Sequence, residues 1–429
     1  MKISVKALLL IIILLPAPQL LRAQQEITFA YNPVSFTEYL SAVVQGNIGY
    51  IAEKFSVSIA EAELKAARIF PDPEISLTYV NNEDARLQMG QAFESEISYP
   101  VSLGNRRKAG ISLAKSRHEL SQMMLDLYFQ NLRADAAMAY YACLRDQKKY
   151  EIHLSIYEQL VKLASADSIR LNAGDATGLD AMQSSLEAMA YLTEVMQSLA
   201  EMQNSGMDLM QLQGKKFSSS LDMASGDFPD PVFHFSIDGL LEKAFENRAE
   251  LLIAVKSQEV SEKNLGLLRA NRAFEFNLEA GYSYNSIVLN EIAPAPAFNA
   301  VTAGLSFPIK FSGMNRGEIR AAEAEIRQNQ ELRNETELQI YTEMMQAYNN
   351  FITQAKKAEQ FSKGLAETAG RILQGRIYAY QRGETGLVDV LNAQRTFMDL
   401  QLSQLDTWFD YTAALIEVER AAGIWDLPE

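Results

Sequence analysis

"SYPVSLGNRRKAG", residues 98–110, and "SFPIKFSGMNRGE", residues 306–318, say nearly the same thing twice in one chain. Each leaves an alternating stretch through an aromatic residue and a proline, then enters a long stretch through Asn-Arg. Proline donates no hydrogen bond to a sheet ladder, so Pro100 and Pro308 belong where pairing ends or a strand bends. Asn105 and Asn315 are candidate helix caps. The segment reads as a strand-to-helix junction, made twice.

The repetition extends outward from both junctions. "EYLSAVVQGN", ending at Asn47, matches "DGLLEKAFEN", ending at Asn247. "MAYYACLRDQKK" from Met138 matches "MQAYNNFITQAK" from Met345, and "LNAGDATGLDAM" matches "YQRGETGLVDVL" with Gly174 over Gly383. The chain is a tandem duplication: residues 36–214, a Ser/Gly/Pro-rich linker over 215–236, and residues 237–423. Residues 24–35 precede the first copy and 424–429 form a tail. Each copy reads as helix, strand hairpin, long helix, helix. Strands are expected over about 74–80 and 92–102, then 273–285 and 299–311. Long helices are expected over about 105–171 and 177–213, then 314–380 and 386–422. The opening helix of the first copy is expected over 36–70, stopped by Pro71 and Pro73. Met182, Met189 and Met196 recur every seven residues, as in helices packed side by side.

The strands alternate, with Ser95 alone breaking the pattern. Phe274, Phe276, Leu278, Ala280, Tyr282 and Tyr284 interleave with Glu275, Asn277, Glu279, Gly281, Ser283 and Asn285. Phe93, Ile97, Tyr99 and Val101 oppose Glu94, Glu96 and Ser98. Such strands suit either a membrane barrel, with lipid outside and water inside, or a soluble sheet with one wet face. In lipid the sheet must close, because every backbone group needs a partner there. One chain supplies four such strands, and membrane barrels begin at about eight. The barrel must then be shared between copies. Two would give a nearly filled interior and three a twelve-strand barrel with an aqueous lumen.

Composition narrows the class. The 429 residues carry 39 Lys and Arg against 54 Asp and Glu, a formal charge of −15, which argues against nucleic acid as a partner. Residues 1–23 have the basic start, short apolar run and "LRAQ" border of a secretory signal peptide. Cys143, the single cysteine, permits no internal disulfide, and no cysteine near the leader offers a lipid anchor. Export without disulfides points to a bacterial envelope protein.

The repeat, the leader and above all "YQRGETGLVDVLNAQRTF", residues 380–397, resemble the TolC-type outer-membrane efflux channels. "FPDPEISLTY" followed by "YPVSLGNRRKAG" looks nearest to the branch serving heavy-metal cation pumps of the RND class. The resemblance covers nearly the whole mature chain. It implies a mainly α protein with a small β part, whose homotrimer forms a twelve-strand outer-membrane barrel continued by a periplasmic α-helical tunnel. It also implies a periplasmic adaptor and an inner-membrane pump as partners. Two other readings stand beside it: the same fold serving ABC-type protein secretion, and a secreted coiled-coil scaffold.

The turns at Gly174 and Gly383 would then form the periplasmic tip. Glycine suits the left-handed residue after a helix, and Thr177 or Gly386 can cap the next one, with Asp180 and Asp389 placed to meet its free N–H groups. A good cap accounts for these residues, and the resemblance adds adaptor docking and constriction of the tunnel. The family pattern there has a tyrosine, a basic residue and two aspartates. Tyr380 and Asp389 match, Thr385 and Asn392 replace the other two, and Arg382 is a substitute only if the turn directs it inward. Glu94, Glu96, Glu275 and Glu279 either give the lumen a cation-favouring field or merely wet a surface.

The methionines invite a copper-relay reading, but the second copy has Leu391, Met398 and Leu405 in their places. A position that accepts leucine asks for volume, so packing is expected. His118, His153 and His234 lack metal-ligand spacing, Cys143 reads as a small buried hydrophobe, and "QGKK" at 213–216 lacks the upstream glycine of a phosphate loop. No catalytic constellation, cofactor site or metal site is expected.

Overall fold

The computed structural model describes residues 29–84, 88–216, 220–230, 235–273, 275–308 and 315–425. The expected leader, Phe274, Ile309, His234 and most of the tail lie outside them. The first half comprises strand β1 (Ala30–Val34), helices α1 (Phe36–Gly46) and α2 (Ile48–Ala67), strands β2 (Glu74–Asn81) and β3 (Gln91–Ser102), and helices α3 (Arg106–Ala173) and α4 (Gly178–Leu212). The second comprises β4 (Ser220–Ala224), α5 (Ile237–Asn247), α6 (Ala249–Ala270), β5 (Glu275–Asn285), β6 (Phe298–Ser306), α7 (Arg316–Ser362), α8 (Leu365–Gln381) and α9 (Leu387–Ala422). The helix, hairpin, long helix, helix order therefore occurs twice. At 68 residues, α3 is about 100 Å long. No described helix is apolar enough to cross a membrane.

The four strands of the two hairpins form one antiparallel sheet in the order β2-β3-β5-β6. The count of four omits a second, parallel pair: β1 lies against β4, with Ala30 beside Ser220 and Val34 beside Ala224. Asp222 ties this pair together, accepting from Asn32 at 3.0 Å, Gln213 at 3.2 Å and Lys215 at 2.8 Å. The linker is thus partly a strand that fastens the chain's start to its middle.

Two long helices expected from the sequence are broken. The helix over 36–70 ends at Gly46 and restarts at Ile48. Asn47 leaves helical geometry at ψ 118°, caps α2 by accepting from the Tyr50 N–H at 2.9 Å, and donates to Leu212 O at 3.0 Å. Its backbone counterpart is Arg248, at ψ 120°, one residue beyond the Asn247 that sequence matching selects. The helix over 314–380 is interrupted at Lys363-Gly364, where Gly364 takes φ +86°.

Both junctions are refined as well. Asn105 and Asn315 precede α3 and α7 in the left-handed region, at φ 61° and 57°, and neither side chain makes a cap hydrogen bond. Their role is conformational, since asparagine tolerates this region better than other residues with side chains. Pro100 stands inside β3, opposite Asn277 of β5, while the β2 ladder ends at Ser98. Pairing therefore stops at Pro100 on one side only. Pro308 lies just beyond the end of β6.

Each half has its own core. Tyr39, Val43, Tyr140, Cys143, Leu209 and Leu221 cluster in the first, and Leu240, Ile340, Met344, Phe351, Tyr411 and Val418 in the second. A third cluster joins the halves at the far end of α3, where Ile156 and Leu160 meet Tyr380, Val390 and Leu391.

Candidate functional site

The two helical turns lie at the end of the molecule remote from the sheet. In the first, Gly174 closes α3 at φ 86°, with its N–H bonded to Leu171 O and the Asp175 N–H to Arg170 O. Thr177 then caps α4 in a reciprocal box: the Asp180 N–H donates to Thr177 Oγ1 at 3.1 Å, and the Thr177 hydroxyl to Asp180 Oδ2 at 2.6 Å. In the second turn Gly383 takes φ 75°. Gly386 occupies the cap position of α9 without a side chain, so Thr385 supplies the hydroxyl, donating to Asp389 Oδ2 at 2.5 Å. That bond, then the positive charge of Arg376, holds the Asp389 carboxyl below its ordinary range. Asp389 and Asn392 are exposed on the outer turns of α9.

Tyr380 is the buried member of the set. Its hydroxyl donates to Asp167 Oδ1 at 2.8 Å, across from α8 to α3. The guanidinium of Arg170 stands 4.5 Å from the centre of the Tyr380 ring and 3.9 Å from the same carboxylate oxygen. Burial, and after it the Asp167 carboxylate, push the phenol up to about 12, so at neutral pH it remains a donor. The partners of Tyr380 are therefore Asp167 and Arg170, which sequence reasoning missed. They occupy the last turns of α3 inside "SADSIRLNAG", where nothing in the local pattern separates a buried aspartate from a solvated one. Arg382, the candidate substitute, is engaged elsewhere: it donates to Tyr378 Oη at 3.0 Å and pairs with Glu384 at 3.0 Å.

The sheet divides cleanly. Register places Glu94 beside Thr78 and Ser283, Glu96 beside Ser76 and Gly281, and Glu279 beside Ser98 and Gly304, all on one face. The opposite face carries Ile75, Leu77, Tyr79, Phe93, Leu278, Tyr282, Val301 and Leu305, every one exposed. Glu275 differs from the other carboxylates. It forms an ion pair with Arg106 at the start of α3, bracing strand to helix. Arg107 beside it lies 3.9 Å over the Phe70 ring, so the junction arginines bind neighbouring elements.

The remaining candidates resolve individually. Cys143 is fully buried in the first core, and burial pushes its thiol up. His153 is buried against Tyr191, 2.7 Å from its hydroxyl. Among the described residues no group of three His, Cys, Asp or Glu is placed to hold a metal ion. Within one chain the methionine row is uncovered. Met182 and Met189 are 73% and 64% exposed, while the aligned Leu391 is 4% exposed. The cause is neighbours: α9 rests against α3 as well as α7 and α8, whereas α4 rests chiefly on α3.

Comparison with known proteins places this geometry. The family model described as outer membrane efflux protein matches residues 240–424. The cobalt-zinc-cadmium resistance protein CzcC of Cupriavidus metallidurans is 22% identical over 398 residues, covering 92% of this chain and 91% of its own. The outer membrane protein TolC of Vibrio cholerae is 22% identical over 360 residues, 82% of either chain. Among solved structures, the Campylobacter jejuni CmeC outer membrane channel superposes with a TM-score of 0.76 at 12% identity, over 92% of this chain and 87% of its own.

Proposed function

Because the chain belongs to the TolC-type outer membrane efflux proteins, we propose that it is the exit duct of a tripartite pump, conducting cargo passively across periplasm and outer membrane. Three copies close a twelve-strand barrel, and their long helices continue it as a periplasmic tunnel. An RND pump of the inner membrane supplies the cargo through a periplasmic adaptor, which meets the turns around Gly174 and Gly383. The observation that carries this reading is the four-stranded sheet: one face apolar and exposed, the other acidic and polar, with both outer strands unpaired among the described residues. A lipid-facing wall with a wet interior has that construction.

For the cargo we infer heavy-metal cations. Support comes from the likeness to CzcC along 92% of the chain and from Glu94, Glu96 and Glu279 on the polar face. Deleting the gene in its host should lower tolerance to cobalt, zinc or cadmium and raise cell-associated metal, with both restored by the wild-type gene. Unchanged tolerance and metal content in the deletion strain would rule out cation cargo.

A further inference from the structure

The contact between the halves leaves two strong polar atoms unused. Asp167 is fully buried, and its Oδ1 takes the Tyr380 hydroxyl. Its Oδ2 is buried as well and has no hydrogen-bond partner among the described residues. The same holds for Nη1 of Arg170, one turn along α3. The 3.9 Å between Nη1 and Asp167 Oδ1 is too long for a hydrogen bond, and Nη2 is engaged with Asp175 O at 3.3 Å. Leaving a buried charged group unpaired costs more than an ordinary hydrogen bond gains, so a carboxylate oxygen and a guanidinium N–H side by side call for a partner.

Both residues line a cavity of about 230 Å³ between α3, α8 and α9. Leu160, Leu163, Ile377 and Val390 form its apolar wall. Gln394 donates to Gln159 at 3.3 Å, so the two amides at the border are engaged with each other. An apolar cavity of about 150 Å³ accepts benzene, which gives this one room for a ring and a polar head. Water would serve the two polar atoms but not the apolar wall. The head must donate to Asp167 and accept from Arg170. A carboxylate would suit Arg170 but set its charge against Asp167, and an ammonium would do the reverse. A neutral carboxamide, with its N–H beside its C=O, meets both demands. We propose that this cavity is a binding site for a small neutral molecule with an apolar body and a primary carboxamide. Its N–H donates to Asp167 Oδ2 and its carbonyl accepts from Arg170 Nη1. Once bound, it adds a second bridge between α3 of the first half and α8 and α9 of the second, beside the Tyr380 hydroxyl.

Benzamide tests the site, titrated into the full-length membrane-extracted protein and followed by saturation-transfer NMR and by the thermal midpoint. The wild type should bind it saturably and gain thermal stability as its concentration rises. Benzoate and benzylamine should bind at least about tenfold more weakly. Asp167→Asn keeps an acceptor for Tyr380 but turns an amide N–H toward the cavity, so it should lose benzamide by a similar factor and take benzoate instead. Ala166→Phe adds bulk at an exposed position of the lining and leaves both polar groups in place. It should weaken binding of every probe, and it carries the test if Asp167→Asn does not fold. A wild type that ignores benzamide, or prefers either charged probe, overturns the proposal. So does equal benzamide binding by the wild type and either folded variant, as uptake into detergent would give. Binding is read here without current, so electrically silent bilayers would sink the duct and leave this site standing.

Discussion

Tyr380 spans the two halves through one hydroxyl, and its loss is specific. Tyr380→Phe keeps the ring under Arg170 but strips the buried Asp167 carboxylate of its donor, a change worth roughly 1–3 kcal/mol. The expected outcome is a lower urea midpoint together with larger and noisier single-channel currents. Unchanged currents would mean that the link does not restrain the tip. Asp389 is the complementary case, an exposed carboxylate whose charge matters more than its packing. Asp389→Ala should weaken block by multivalent cations added on the tip side, whereas unaltered block removes Asp389 from the pore lining. The pH dependence has a definite sign. Since Thr385 and then Arg376 favour the ionised form, the block should persist below the ordinary carboxylate range and vanish only on further acidification. Thr385→Val, lacking the hydroxyl donor, should move that loss to higher pH.

At the scale of elements, the junctions show what kind of information sequence carries. Asn105 and Asn315 are recognisable as the residues that start long helices, but the mechanism is the left-handed backbone and not a side-chain cap. The two mechanisms predict opposite mutants. Asn105→Gly should be neutral or slightly stabilising, while Asn105→Ala should cost about 1 kcal/mol, measured as a shift in unfolding midpoint. If glycine proved as costly as alanine, the side chain would be acting after all. Strand alternation, proline-free helices and the glycine turns were legible because each is a local pattern with a local cause. The β1–β4 pair was not, because it joins segments 190 residues apart, one containing Pro33 and the other set in a serine-rich linker. Gly46-Asn47 and Lys363-Gly364 were read through as helix for a related reason. The first break depends on contact with the end of α4, where a Cβ on Gly46 would come within 2.2 Å of Gln213 O. Asp167 escaped notice likewise, since its burial is created by α8.

For the whole molecule, duplication is the organising fact. Each half builds its own core, the third cluster joins them at the tip, and the sheet runs from one half into the other without a gap. Among the described residues, what a single chain leaves undone is also regular: two free strand edges, an uncovered methionine row on α4, and an uncovered stripe on α2. All are satisfied if copies follow one another around a ring as the halves do within the chain. The polar, carboxylate-bearing sheet face would then line a barrel, and helices of about 100 Å would carry the passage far beyond the thickness of a membrane. The most direct measurement is single-channel recording of the purified, membrane-extracted protein in a planar bilayer under a salt gradient. The account predicts discrete, long-lived conductance steps with a reversal potential shifted toward cations, reduced by Glu94→Gln with Glu96→Gln. Electrically silent bilayers containing correctly assembled protein would contradict it.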